Sequence, residues 1–200
     1  TQLVRSLRAP FSVDIKNYEI YNRLMEYKVE NIISNDERAE LIHLYNSLPS
    51  RVAHQDYNLF NMDKRLIPSN KWNAGPFKQI LKRADRKIYS HYFLMYEQGS
   101  FTKFHTDNDD EVGLTIVTLL DEVNLVGGET LVQLPFKEQM QKQGSYVKGT
   151  QLEGQRVIPK VVQVEKGQSM IYDRSLMHGV AQVVEGKRLV LVSWFYNETV

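Results

Sequence analysis

The stretch "YEQGSFTKFHTDNDD", residues 96–110, sets His105 and Asp107 between a strand-like apolar run and a cluster of acids. The bland reading is a solvated loop. The sharper reading is two arms of a metal site, with a third arm downstream. On a strand, residues two apart point to one face, so His105 and Asp107 can converge on a single ion. The chain contains no cysteine, which excludes disulfides, thiolate metal sites and cysteine nucleophiles. Any metal must then be held by His, Asp or Glu. Imidazole with carboxylate suits ferrous iron or manganese better than a soft metal. Alone, a His-x-Asp pair is weak evidence, since such pairs also arise by chance in surface loops.

The sequence around that stretch changes character from one half to the other. "NDERAELIHLYNSLP" carries helix punctuation: Asn35 as cap, Glu37 and Glu40 in the first turns, and Pro49 beyond the end. Leu41, Leu44 and Leu48 are spaced for burial. "GPFKQILKRADRKIYS" reads as a second helix from Pro76, burying Phe77, Ile80, Leu81 and Ala84. After Tyr89 come short strand candidates bounded by Gly, Pro, Asp and Asn: "HYFLMYEQG", "LTIVTLLDEV", "ETLVQLP", "VVQVEKGQSMIYD" and "RLVLVSWFY". Helices first and strands afterwards suggest helices packed on a mostly antiparallel sheet or sandwich. Between Phe136 and Pro159 the chain turns polar, a long connection or extended hairpin that reads as a lid or a solvent-facing insert.

Composition narrows the classes. A length of 200 residues favours one domain, large enough to bury a core without staples. With 25 basic against 24 acidic residues, there is no broad electrostatic footprint, and no nucleic-acid partner is expected. No apolar run approaches the roughly 18 residues of a membrane span. The opening "TQLVRSLRAPFSVD" lacks the core of a signal peptide. The expectation is a soluble, cytoplasmic protein without a membrane partner.

The third metal arm is His178 in "DRSLMHGV", after a strand and before a glycine. Two histidines and one carboxylate with open positions form the facial triad of non-haem iron oxygenases. "VVEGKRLVLVSWFY" then opens an apolar strand with a cation, and a site of this type needs one for a dicarboxylic co-substrate. At this point the sequence resembles the iron- and 2-oxoglutarate-dependent dioxygenases, closest to the prolyl 4-hydroxylase type. The matching pieces are "YEQGSFTKFHTD", "LTIVTLLDEVNLVGGETLV", "VIPKVVQVEKGQSMIYD", "MHGV" and "VVEGKRLVLVSWF", with "IISNDERAELIHLYNSL" similar to the helix that opens the family's catalytic domain. The resemblance runs from about residue 30 to the C-terminus.

That resemblance implies an α+β, mainly β chain: a double-stranded β-helix (jelly roll, cupin-like) with N-terminal helices packed on its major sheet. It implies one dioxygenase domain over 1–200, with an extension at 1–29, helical support at 30–91, and a jelly-roll core at 92–200 carrying a polar insert at 137–157. It implies Fe(II) held by His105, Asp107 and His178, with 2-oxoglutarate and O2 as co-substrates and ascorbate as reductant. Tyr96 stands where the family has a tyrosine that hydrogen-bonds 2-oxoglutarate. Arg188 stands where prolyl 4-hydroxylases usually carry a lysine for the distal carboxylate and related branches carry arginine. There are departures: Leu119 takes the place of a frequent second tyrosine, and the usual "GxKW" has become "GKRL".

Lys187 and Arg188 point to opposite faces of a strand, so only one enters the barrel. A two-residue turn at Glu185–Gly186 would put Lys187 on the face of His178, and a three-residue loop would put Arg188 there. Register leaves the choice open. Family spacing and the two-pronged guanidinium favour Arg188. The implied reaction is hydroxylation of a prolyl residue in a peptide or protein, releasing succinate and CO2. The alternatives are a free amino acid or other small molecule as substrate, or a non-catalytic jelly-roll binding module with a metal. Trp72 either lines a substrate groove or anchors a loop to the helices. Asp109 and Asp110 read as solvated loop acids, Gly127 and Gly128 as turn or bulge residues, and His43, His54 and His91 as structural.

Overall fold

A computed structural model of the chain describes residues 26–49, 54–56, 60–73, 75–107, 110–133 and 159–199, with backbone only at 54–56 and 198–199. The strands are β1 (Tyr27–Asn31), β2 (His54–Asp56), β3 (Phe60–Leu66), β4 (Arg86–Tyr96), β5 (Phe101–His105), β6 (Val112–Gly127), β7 (Thr130–Gln133), β8 (Pro159–Val162), β9 (Gln168–Asp173), β10 (His178–Val180) and β11 (Val183–Thr199). The helices are α1 (Asn35–Ser47) and α2 (Phe77–Ala84). The expected insert at 137–157, including its proposed lid, lies outside the described residues, as does Asp109.

Among the described residues every strand pairing is antiparallel, in the order β1-β9-β6-β11-β4-β3-β5-β10-β7-β8, with β2 on β3. The corner is β3, which pairs β4 through Asp63–Leu66 and β5 through Phe60–Asn61. A larger layer, β1-β9-β6-β11-β4, thus folds over a smaller one, β5-β10-β7-β8. This is the double-stranded β-helix, a mainly β fold with few helices.

The helices cover the outer face of the larger layer. Leu41 and Tyr45 from α1, Phe77, Ile80 and Ala84 from α2, and Phe93, Ile116, Leu120, Ile171, Leu191 and Phe195 from the strands form one buried cluster. Ser34 rather than Asn35 caps α1, in a capping box: Glu37 N–H donates to Ser34 Oγ at 3.2 Å, and Ser34 N–H donates to Glu37 Oε2 at 2.7 Å. Serine reaches the free amides from one residue earlier, and Glu37 then falls at the third helical position. α2 stops at Ala84, not near Tyr89, because Asp85 takes a left-handed conformation (φ 50°) and β4 begins at Arg86. A strand serves 86–96 better than a helix because both faces are buried: Phe93 and His91 against the helices, Tyr92 and Tyr96 into the barrel.

The stretch expected to be helical support therefore supplies sheet as well, since β1, β2, β3 and the start of β4 all fall within or before residues 30–91. The run "VVQVEKGQSMIYD" is likewise two strands, not one. Gln168 N–H donates to Glu165 O at 2.9 Å, closing a turn that carries the chain from β8 in the smaller layer to β9 in the larger.

Candidate metal centre

The space between the layers is a cavity of about 240 Å³. His105 ends β5, and Asp107 lies just past it, its N–H donating to Arg174 O at 3.1 Å. His178 opens β10 and is the direct register partner of His105. Gly179 follows because β10 runs tightly against β5: a Cβ there would sit 2.8 Å from Thr102 O.

The donor atoms face one another. His105 Nδ1 lies 2.9 Å from Lys103 O, and His178 Nδ1 lies 2.9 Å from Leu176 O. A carbonyl can only accept, so each Nδ1 carries the proton and each Nε2 presents a lone pair. Asp107 is buried, and its Oδ2 accepts from the Thr115 hydroxyl at 2.6 Å. Its Oδ1 stays free, 3.7 Å from His105 Nε2 and 3.8 Å from His178 Nε2. One ligand atom from each residue lies within 4.8 Å of the others. Two imidazole nitrogens and one carboxylate oxygen fit ferrous iron. Burial first, then neighbouring His105, lowers the pKa of His178 against the opposing pull of Asp107, which favours the neutral ring that a metal requires. The Tyr172 hydroxyl donates to His178 Nε2 at 3.0 Å.

Arg188 stands farther along the same cavity, buried on β11 opposite Tyr96 of β4. Its Nη1 donates to Gly128 O at 2.7 Å and its Nη2 to Thr130 Oγ1 at 2.6 Å. Its Nε is buried without a partner, and among the described residues no carboxylate forms an ion pair with it. A buried guanidinium with an unused donor in a cavity is a place for an anion. Tyr96 is buried beside it, its hydroxyl 3.0 Å from Thr102 Oγ1. Lys187 is exposed.

The hairpin imagined between His178 and Arg188 does not form. β10 lies between β5 and β7, whereas β11 lies between β6 and β4. Gly186, at φ 78°, is a bulge inside β11 rather than part of a turn. Trp72 is the loop anchor: its Nε1 donates to Ile67 O at 2.8 Å and its ring packs edge-on to His91 on the helix side. Asp110 is fully exposed, 3.7 Å from Arg174. His91 is buried and hydrogen-bonds Ser193 through Nδ1 at 2.8 Å. Leu119 is buried among Tyr92, Tyr96 and Val190.

Sequence reasoning missed Thr115, Tyr172, the Gly128–Thr130 cradle, and the cavity residues Lys64 and Trp194. Thr115 had a signal: it shares strand parity with Val117 and Leu119, and is the polar member of an otherwise apolar face. The cradle had none, because glycine contributes only a carbonyl whose direction depends on the bend at 127–128.

The family model for the 2OG-Fe(II) oxygenase superfamily matches residues 91–196. The chain belongs to that superfamily, and membership implies Fe(II), 2-oxoglutarate and O2. Among curated proteins none matches the chain in sequence. Solved structures share its fold at low identity. An oxidoreductase of the 2OG-Fe(II) oxygenase family from Burkholderia pseudomallei is 16% identical, with a TM-score of 0.62 over 94% of this chain and 93% of that one. A prolyl-4-hydroxylase from Pseudomonas putida is 16% identical, with a TM-score of 0.60 over 89% and 97%. HygX from Streptomyces hygroscopicus, with nickel, 2-oxoglutarate and hygromycin B bound, is 11% identical, with a TM-score of 0.61 over 92% and 87%.

Proposed function

We propose that the chain is a non-haem Fe(II)- and 2-oxoglutarate-dependent hydroxylase in which His105, Asp107 and His178 hold the iron. The observation that carries this reading is the placement of three convergent donor atoms and an unpaired buried guanidinium in one cavity. Bound there, Fe(II) supplies the redox chemistry with O2 that converts 2-oxoglutarate to succinate and CO2 as the substrate gains a hydroxyl. Arg188 takes the distal carboxylate of 2-oxoglutarate, and its hold on Gly128 O and Thr130 Oγ1 fixes the fork before the co-substrate arrives. Tyr96 supplies a hydroxyl beside that carboxylate. Thr115 fixes the Asp107 carboxylate so that Oδ1 faces the histidines. The apolar walls, Leu94, Val117, Met170, Val190 and Val192, keep the space dry. A purely structural metal would leave Arg188 without a purpose, which weighs against a non-catalytic binding module.

The substrate favoured by the motif set is a prolyl residue in a peptide or protein. A free amino acid or other small molecule is the second reading, supported by Trp72 packing on the helix side, away from any groove beside the cavity. Succinate formation from 2-oxoglutarate with Fe(II) and ascorbate tests the class. Metal-dependent succinate, raised by a peptide or metabolite that gains one oxygen by mass, is the expected result. No metal-dependent loss of 2-oxoglutarate under any addition would contradict it.

A further inference from the structure

Among the described residues two cations, Lys64 and Arg188, line the cavity, and 2-oxoglutarate accounts for one. Lys64 of β3 also lines it, half-buried, its ammonium 4.0 Å from the centre of the Tyr92 ring and 5.8 Å from that of Trp194. Among the described residues no carboxylate forms an ion pair with Lys64, and no hydrogen bond satisfies its three donors. Burial pulls the ammonium below its ordinary pKa. An aromatic face answers one side of an ammonium and leaves its N–H groups open to the cavity.

Register separates the two cations. Arg188 pairs with Tyr96, whereas Lys64 pairs with Leu94, so about 7 Å of strand lies between their rungs at ~3.3 Å per residue, and the Lys64 side chain leans farther from Arg188, over the Tyr92 ring. Thr115, which holds Asp107, pairs with both Trp194 and Tyr172. Lys64, leaning on Tyr92 toward Trp194, is therefore on the metal-ligand side of the cavity, away from Arg188. 2-Oxoglutarate stretched between Arg188 and the triad leaves Lys64 facing the remaining space, where the molecule to be oxidised must sit.

We propose that Lys64 recognises the substrate, which carries a carboxylate close to the carbon that is hydroxylated. This rests on the hydroxylase reading of the same cavity. The walls around Lys64 are apolar and aromatic (Leu94, Val117, Met170, Val192 and Trp194), so a short hydrocarbon part packs against them while the carboxylate meets the ammonium. Two sources offer that chemistry: the main-chain carboxylate of a free amino acid, or an acidic side chain beside the target residue of a peptide.

Ligand-observed NMR on protein loaded with Zn(II) and 2-oxoglutarate separates them. The probes are free amino acids against their carboxamides, and end-capped tripeptides with aspartate after proline against the same peptides with asparagine. At least one carboxylate probe should bind about tenfold or more tightly than its amide, as loss of a charge-assisted pair requires. In Lys64→Gln that preference should fall to near unity, with the affinity for 2-oxoglutarate changed less than about twofold. Lys64→Glu should turn against carboxylates altogether, and unchanged melting curves confirm that both variants fold. Amides binding as well as carboxylates, no carboxylate probe binding at all, or a preference that survives Lys64→Gln would overturn the proposal. So would a loss of 2-oxoglutarate affinity in Lys64→Gln as large as that in Arg188→Ala, which would make Lys64 the co-substrate clamp. Wild-type protein that fails to bind metal with 2-oxoglutarate would defeat the hydroxylase reading itself, a result visible before any probe is added.

Discussion

The two faces of β4 and β11 belong to the same backbone and do opposite work. Toward the helices, Phe93, Leu191 and Phe195 are fully buried among apolar neighbours. Three residues along the same strands, Tyr96 and Arg188 face a cavity onto which the donor atoms of His105, Asp107 and His178 converge. Strand alternation is what allows this, since each step of one residue moves a side chain from the packed core to the cavity. The outer face can be packed for stability without reference to chemistry. The inner face keeps unpaired donors that a well-packed core would reject.

Substitutions on the two faces should therefore fail in different ways. The largest effect belongs to the inner face: Asp107→Ala should abolish turnover and metal binding while the circular dichroism spectrum and melting transition stay close to wild type. A fully active Asp107→Ala protein would break the triad. On the outer face Phe93→Ala leaves a cavity between the larger layer and the helices, and should cost roughly 3–5 kcal/mol of stability in a denaturant titration. Metal affinity of the fraction that remains folded should stay within a small factor. Arg188→Ala should weaken 2-oxoglutarate binding by roughly 2–5 kcal/mol, the cost of losing one partner of a buried charged pair. Lys187→Ala, on the exposed side of the same strand, should leave it unchanged in an anaerobic titration.

His91 sharpens the contrast from the outer face. It is a histidine buried between Phe77, Trp72 and Phe195, and burial lowers its pKa to about 3. In the unfolded chain a histidine takes its proton near pH 6.5. As pH falls below that value the unfolded state binds the proton first, so this residue's contribution to stability is intact above about pH 7 and declines toward pH 3. The slope should approach about 1.4 kcal/mol per pH unit. His91→Phe should flatten that part of the stability profile, and an unchanged slope would mean that the ring titrates in the folded protein. The smallest effect lies farthest from both faces: Ser34→Ala removes the cap of α1 and should cost about 1 kcal/mol, with no change at the metal centre.

The sequence displayed its chemistry more openly than its connections. His105, Asp107 and His178, which the fold brings together, could be singled out because a ligand set needs particular residue types. Arg188 could be preferred over Lys187, which begins the same apolar strand, only on family spacing and its two-pronged head. The ends of elements were harder. Whether α2 continued to Tyr89 depended on Asp85 taking a left-handed turn, and on β4 needing two buried faces, neither of which a one-stripe periodicity displays. The relation of His178 to Arg188 was unreadable for a related reason. Val180 and Val183 are three residues apart, yet their strands enter different layers, and nothing local marks that crossing. Lys64 was invisible because its meaning comes from Tyr92 and Trp194, distant in sequence and adjacent only once β3, β4 and β11 are side by side.

The central claim is that the inner face holds one metal and one 2-oxoglutarate in a fixed order along the barrel. A crystal structure of the protein with Mn(II) and 2-oxoglutarate, prepared without oxygen, tests it most directly. The account predicts the ion between His105 Nε2, Asp107 Oδ1 and His178 Nε2, with the distal carboxylate on Arg188 and Lys64 left facing open space. An ion held elsewhere, or a distal carboxylate seated on Lys64 with Arg188 still bound only to Gly128 and Thr130, would contradict it.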